Sequence, residues 1–558
     1  MPTQPTRRAV LGAALAVAGT GALVACSDGG GGDHTGGHSP GGAQDSGTYV
    51  SPGGKEVEAA EAARGSGPVR KVSLTATRAR LDLGGGRTVA SWAYGDRLPG
   101  REVRVTAGDT LALTLANHLP EPTSLHWHGL ALRNDMDGVP GLTQRDIAPG
   151  ADFAYRFAVP HPGTYWFHPH SGVQQDRGLY APLIVEDPKE PLAYDKEWVV
   201  VLDDWVDGVD GSTPDAVLKE LSGGMGGGMD HGAHTMSGEG DEKGTADGKG
   251  TEDGKDTADG KGTEDGKDTA DGSGDGPSRM MMGATSELLG GDAGDVAYPH
   301  YLVNGRVPQD PSSFSARPGD RIRLRIINAG GDTAFRVALG GHRMTVTHTD
   351  GFPVRHTTGD ALLLGMGERY DVLVTAGDGV FPLTALAEGK KAGKKEASAL
   401  AVLRTGSGAA PAASVRPKEL DGKLVEAGRL VPDPSVALAS RAPDRTIRIR
   451  LTGGMAKYDW AFDGQPYSAK QRRPVEAGER VRVVFDNGTA MWHPLHLHGH
   501  TFALGGNAAG ARKDTAIVLP HRSLTVEFDA DNPGLWMVHC HNVYHAEAGM
   551  MTVIGYRG

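Results

Sequence analysis

The sequence predicts an all-β protein of three consecutive β-sandwich units, and three observations carry that prediction. Residues 107–117 read AGDTLALTLAN, residues 318–328 PGDRIRLRIIN and residues 477–487 AGERVRVVFDN, each a turn glycine, an apolar alternation and an asparagine nine positions after the glycine. Alternation with a period of two marks half-buried strands, so three copies imply three units. The 84 glycines and 6% aromatic content suit strands and turns, and a chain of 558 residues can bury several cores.

The N-terminus precedes this fold. Thr6-Arg7-Arg8-Ala9-Val10-Leu11 sets twin arginines before an apolar run, the layout of a twin-arginine export signal. The run is too short to span a membrane and ends at Leu23-Val24-Ala25-Cys26, similar to a lipoprotein processing site. Residues 1–26 are therefore expected to direct export, with Cys26 lipidated and the mature chain tethered to a membrane outside the cytoplasm. Residues 27–66, rich in Gly, Ser and Asp, read as a flexible linker.

The first unit, 67–190, contains His126-Trp127-His128 and His168-Pro169-His170. On a strand, residues i and i+2 share a face, so each pair offers two imidazoles to one side. The middle unit, 191–405, has no such pair and reads as a spacer. A low-complexity insert, about 222–285, interrupts it after the strand-like Glu197–Leu202. TADGKGTEDGKD occupies 245–256 and recurs at 257–268, too polar to bury a core. Between Asp241 and Asp275 stand 12 acids and 5 lysines, −7 of the chain's −12. The folded part is thus only mildly acidic, which gives no argument for nucleic acid or for electrostatic steering, and no nucleic-acid partner is expected. Residues 406–440 read as a linker to the third unit, 441–558.

The third unit carries the densest chemistry. HPLHLHGH sets His493, His496, His498 and His500 within eight residues, and His539-Cys540-His541 is followed by His545 and Met550. A blue copper ion takes two imidazoles, a thiolate and a weak axial thioether; His493, Cys540, His545 and Met550 supply them. His539 and His541 flank the thiolate and point elsewhere. With 126/128, 168/170 and 496/498 they make four H-x-H pairs, and eight nitrogens are what three clustered coppers require. His126 to His168 spans 42 residues and His496 to His539 spans 43, and Gly163 and Gly534 each lie five residues before the second pair. That matching predicts a duplicated unit whose copies face each other. His342, His348, His356 and His500 fit no ligand pattern and are expected in ordinary polar roles.

On these residues the chain resembles the three-domain multicopper oxidases over roughly 67–558. HWHGLALRNDMDG, the run from HRMTVTHTDG to GERYDVLV, and ARKDTAIVLP are similar to the actinobacterial lipoprotein multicopper oxidases associated with copper tolerance. The resemblance implies three cupredoxin-like Greek-key domains and four copper ions. It implies type 1 copper on His493, Cys540, His545 and Met550, and type 2 copper on His126 and His496. The type 3 pair falls to His128, His168, His170, His498, His539 and His541. Electrons are then expected to enter singly through a partly exposed His493 and pass by Cys540 to the cluster, where O2 is reduced to water. Asp137 matches the family's proton-supplying acid; the position of a second acid is Ala546, with Glu547 one place on. With Cys26 lipidated and Cys540 on copper, no disulfide is expected.

Substrate follows from softer signals. Met491 matches a methionine that binds substrate Cu(I) in copper-efflux relatives, while the neighbouring acidic ligand of those relatives is Thr489 here. The insert's flanks carry Met225, Met229, His231, His234 and Met236 on one side and Met280–Met282 on the other, soft groups suited to Cu(I). Oxidation of Cu(I), or of Fe(II), in copper detoxification is the leading expectation, with laccase-like oxidation of phenols and aromatic amines as the enzymatic alternative. A copper-sequestering surface lipoprotein is the alternative of another class. Copper nitrite reductase does not need four H-x-H pairs. The expected partners are O2, a small reducing substrate and, through Cys26, a membrane, with a monomer favoured.

Overall fold

In the computed structural model, residues 47–224, 276–506 and 509–558 are described. The export signal, Cys26, and the insert residues Met225, Met229, His231, His234 and Met236 lie outside them. Each of the three repeats forms a strand, Thr110–His118, Arg321–Asn328 and Arg480–Asn487. Each strand pairs in parallel with its unit's opening strand (Val69–Gly84, Lys196–Trp205, Arg445–Thr452). On its other side it pairs antiparallel with a later strand (Asp152–Ala158, Arg369–Thr375, Ser523–Asp529). The repeat thus marks one topological position used three times.

The glycine and the asparagine common to all three repeats each have a physical reason. Gly108, Gly319 and Gly478 adopt φ of +93°, +88° and +89°, the left-handed region that a side chain would strain. The buried Asn117, Asn328 and Asn487 each accept the backbone N–H two residues on, from Leu119, Gly330 and Thr489. Each also donates to a backbone carbonyl, of Ile147, Leu364 and Val518 respectively. In the middle and third units, where Leu364 and Val518 lie in strands of the second sheet, the asparagine is a staple between the two sheets, and in the first it ties the strand to the loop residue Ile147.

The second sheet of the first unit runs Val103–Thr106, Ala181–Glu186, Gly163–His168, His126–His128, and that of the third Arg473–Val475, Met551–Tyr556, Leu535–Cys540, His493–Leu497, Thr515–Val518. In both, the strand of the second H-x-H pair lies beside that of the first, with His126 opposite His168 and His496 opposite His539. The spacings of 42 and 43 residues are therefore one register written twice. Asn134 exchanges two hydrogen bonds with the backbone of Leu535, 2.7 and 2.9 Å, which ties the first unit to the third.

Two expectations need correction. The linker 27–66 was read as flexible throughout, yet Lys55–Arg64 is a helix and Val50 and Val57 are buried. Its sequence, KEVEAAEAAR, is made of helix formers rather than Gly and Ser. Val50 N–H donates to Tyr556 O (2.9 Å) and Glu61 accepts from Ala158 N–H (2.6 Å), so the segment is tied to the last strand and to the first unit. The insert's far end was placed at about 285, but Met280 already bridges to Val296, and Thr285–Ser286 pairs with Gly291–Asp292.

Candidate metal centre

Cys540 ends the strand Leu535–Cys540, and the helix Val543–Ala548 starts three residues on, capped by Asn542, whose Oδ1 accepts from Tyr544 and His545 N–H. The cap aims His545 back at the thiol. Cys540 Sγ lies 3.6 Å from His493 Nδ1 and 3.7 Å from His545 Nδ1, and those two nitrogens are 3.1 Å apart. Met550 is fully buried, and its carbonyl accepts Cys540 N–H. The outer nitrogens are both held: His493 Nε2–H donates to Thr489 Oγ1 and His545 Nε2–H to Asp295 Oδ2, each at 2.9 Å. Burial lowers the pKa of His545, but Asp295 and Cys540 outweigh it and push it up to about 10.

His493 was expected to be partly exposed; it is 0% exposed. Trp460 packs 5.3 Å from its ring and 4.4 Å from that of His545, and the segment following the insert crosses over Met491 through a bridge at Asp292. Both imidazoles thus lie under the protein surface.

The eight H-x-H histidines converge from the first and third units. His126 stacks on His498 and His128 on His496, each with ring centroids 3.8 Å apart, so the two strands face each other about a local two-fold axis. His539 Nε2 lies 3.1 Å from His498 Nε2 and 3.4 Å from His170 Nε2. The rings of His128, His168 and His541 form a second triad with centroids 4.9 to 5.9 Å apart. Each triad mixes both units, leaving His126 and His496 between them, so neither unit makes the cluster alone.

The ring nitrogens test whether metal fits. His126, His168, His496, His498 and His539 each donate from Nδ1 to a protein oxygen, and His128 from Nε2. His126 Nε2, His128 Nδ1, His168 Nε2, His496 Nε2 and both nitrogens of His541 are buried without a hydrogen-bond partner. Such atoms cost about 1–3 kcal/mol each unless something satisfies them. Burial, and then repulsion among neighbouring imidazoles, holds most of these rings well below the ordinary histidine pKa, in the neutral form that binds metal. An imidazole and thiolate donor set of this kind suits copper. Gly367, from the middle unit, is packed so closely that a Cβ there would stand 2.9 Å from both His128 and His541.

Two carboxylates orient the rings. Asp137 Oδ2 accepts from His498 Nδ1–H (2.9 Å), and its carbonyl from His126 Nδ1–H (2.8 Å). Asp514 Oδ1 accepts from His128 Nε2–H (3.2 Å), and its carbonyl from His496 Nδ1–H (2.9 Å). The two acids are equivalent under the local two-fold. Sequence reasoning found Asp137 and missed Asp514 and Asp295. Asp514 sits 16 residues beyond His498 and Asp295 lies 250 before His545, with no local pattern to join them. Ala546 leaves no acid at the chain position directly after His545, and Glu547 is exposed. His342 and His500 hold backbone or Tyr556 groups, as expected of ordinary polar residues.

Multicopper oxidase family profiles match residues 75–190, 196–408 and 440–557. The chain is 47% identical to the multicopper oxidase MmcO of Mycobacterium tuberculosis, over 90% of each protein. It is 30% identical to a copper resistance protein A homolog of Pseudomonas syringae pv. tomato, covering 86% of this chain and 91% of the relative. The crystal structure of Fet3p, a multicopper oxidase that functions in iron import, shares the fold with a TM-score of 0.67 at 21% identity, over 88% of this chain and 90% of that one. The chain belongs to the multicopper oxidase family. Its three sandwiches are cupredoxin-like domains, and it is a copper-dependent oxidase that couples a reducing substrate to O2.

Proposed function

We propose that this oxidase takes electrons from Cu(I), or from Fe(II), and reduces O2 to water with four copper ions, in copper detoxification. His493, Cys540, His545 and Met550 would hold type 1 copper, and His126 and His496 type 2. The triads His128/His168/His541 and His170/His498/His539 would hold the type 3 pair. Copper bound at these residues supplies one-electron transfer and the reduction of O2. The remaining work falls to the chain. Cys540 O accepts His539 Nδ1–H at 2.8 Å, so a few covalent bonds and one hydrogen bond join the thiolate to the triad of His170, His498 and His539. Asp137 is the acid placed to pass protons to the cluster.

The observation that carries the substrate reading is the course of the segment after the insert. Met281 N–H donates to Asp295 O at 2.7 Å, and Asp295 is the carboxylate on His545. Met280 and Met281 are half-buried there and Met282 is 62% exposed. A methionine-bearing backbone segment is thereby tied to the residue whose carboxylate holds His545, and thioethers on such a segment are soft donors suited to Cu(I). Met491 is buried beneath the same segment. The relative named copper resistance protein A homolog supports a role in copper tolerance. The Arg7-Arg8 run and Cys26 support export and membrane tethering. The test is O2 uptake with Cu(I) as sole reductant. Sustained uptake over many turnovers is expected; copper capture without O2 uptake would show a sequestering protein instead.

A further inference from the structure

The middle domain gives no histidine to the cluster, yet it reaches the cluster through one side chain. Arg369 is fully buried and forks onto Asp514, with Nη1 and Nη2 each 2.7 Å from a carboxylate oxygen. Its Nε–H donates to Thr164 O of the first domain at 3.1 Å, so the fork is aimed by a second domain and delivered to a third. Two parallel bonds fix the plane of a carboxylate as well as its position, which an ammonium cannot do.

That carboxylate stands 3.2 Å from His128 Nε2 and 3.4 Å from His496 Nδ1, so it bears on which nitrogen each of the two rings presents. Asp514 Oδ1 takes the Nε2–H of His128, leaving Nδ1 without a partner, while Asp514 O takes the Nδ1–H of His496, leaving Nε2. Thr515 Oγ1, which donates to Asp514 Oδ1, lies 3.1 Å from each ring. The two rings stack yet leave opposite nitrogens without a partner, and a single residue holds both. Its two-fold mate Asp137 holds His126 and His498, both by Nδ1–H, but among the described residues no lysine or arginine lies within ion-pair distance of it. Arg369 is what distinguishes the two halves.

We infer that Arg369 is a positioning residue for the trinuclear cluster, acting through Asp514 to set which nitrogens of His128 and His496 face the metals and so to couple the type 2 site to one type 3 site. The inference rests on the ligand reading proposed above. It makes the middle domain a working part of the cluster as well as a spacer, since loss of the fork would free one type 2 and one type 3 ligand together.

The test uses the copper-loaded full chain, with Arg369→Lys, Arg369→Met, Asp514→Asn and the double variant Arg369→Met/Asp514→Asn. Copper per chain, blue absorption, type 2 EPR hyperfine coupling, and KM for O2 against kcat are read together. Arg369→Met should change the type 2 hyperfine coupling and weaken retention of that copper about 10–100-fold, the usual effect of losing a residue that orients a ligand. The blue absorption should stay. Arg369→Lys should restore retention only in part. The double variant should be no worse than Asp514→Asn, because Arg369 acts through that acid. A blue, folded Arg369→Met protein with unchanged hyperfine coupling and copper retention would overturn the inference. So would losses in the double variant that simply add, or a melt that takes the blue absorption with it, because either would mark a purely structural role. A parent enzyme without a type 2 signal would remove the ligand reading itself, and this inference with it.

Discussion

Cys540 is the residue on which both metal groups hang, because its sulfur faces His493 and His545 while its neighbours His539 and His541 enter separate triads. Cys540→Ser should abolish the intense blue absorption and lower copper by about one per chain, with the triads still filled, since only one soft ligand is lost. Absorption and copper analysis on one sample check this; a Cys540→Ser variant that stays blue would refute the assignment. The H-x-H pairs were legible because the strand period alone puts both rings on one face. Asp295 and Asp514 were not, since each meets its histidine only through tertiary packing. The acid that copper-efflux relatives place near His493 is Thr489 here, and the structure puts a carboxylate on His545 instead, by a route no spacing reveals.

At the scale of elements, the repeat strand was readable down to its asparagine, and its reason is the hydrogen bonds that Asn117, Asn328 and Asn487 make. The helix Lys55–Arg64 was hidden inside a segment read as rich in Gly, Ser and Asp throughout, although KEVEAAEAAR contains none of the three. The methionine-bearing segment before Thr285 was read as part of a loop, yet its backbone is held by Asp295 and Val296. Replacing Met280, Met281 and Met282 by Leu should therefore lower Cu(I) oxidation at limiting copper, while phenol oxidation and thermal stability stay nearly unchanged. Leucine keeps the apolar contact and removes only the thioether. An unchanged rate and apparent affinity for Cu(I) would leave Met491 as the remaining thioether candidate.

For the whole molecule, the joint between the first and middle domains depends on a buried carboxylate. Asp371 receives Arg323 (2.6 and 3.0 Å), Arg325 (3.1 Å) and, from the first domain, Thr164 Oγ1–H (2.6 Å). Burial raises its pKa, but the two guanidinium groups outweigh that and hold it well below the usual carboxylate range. A depressed folded pKa gives stability that is present above the unfolded value, about 4, and lost as pH falls through the folded value. Asp371→Asn, which strands buried positive charge, should cost about 3–5 kcal/mol at neutral pH. The gap in Tm from the parent should hold steady from about pH 5 to 8 and narrow below about pH 4. A gap that does not narrow on acidification would mean the residue acts by shape and not by charge.

The sequence supplied three domains and every histidine of the cluster, because those are period and spacing. It could not supply the cover over His493, since burial of a ligand depends on a segment from another domain. That cover also bears on the proposed substrate choice, because a bulky phenol must reach a histidine that the protein encloses, whereas a single ion is small. The most direct measurement is kcat/KM for Cu(I) and for a bulky phenol on one fully copper-loaded sample, followed by O2 uptake. Cu(I) should be preferred by more than about tenfold, equivalent to about 1.4 kcal/mol in transition-state stabilisation. Equal or greater efficiency with the phenol would contradict the account.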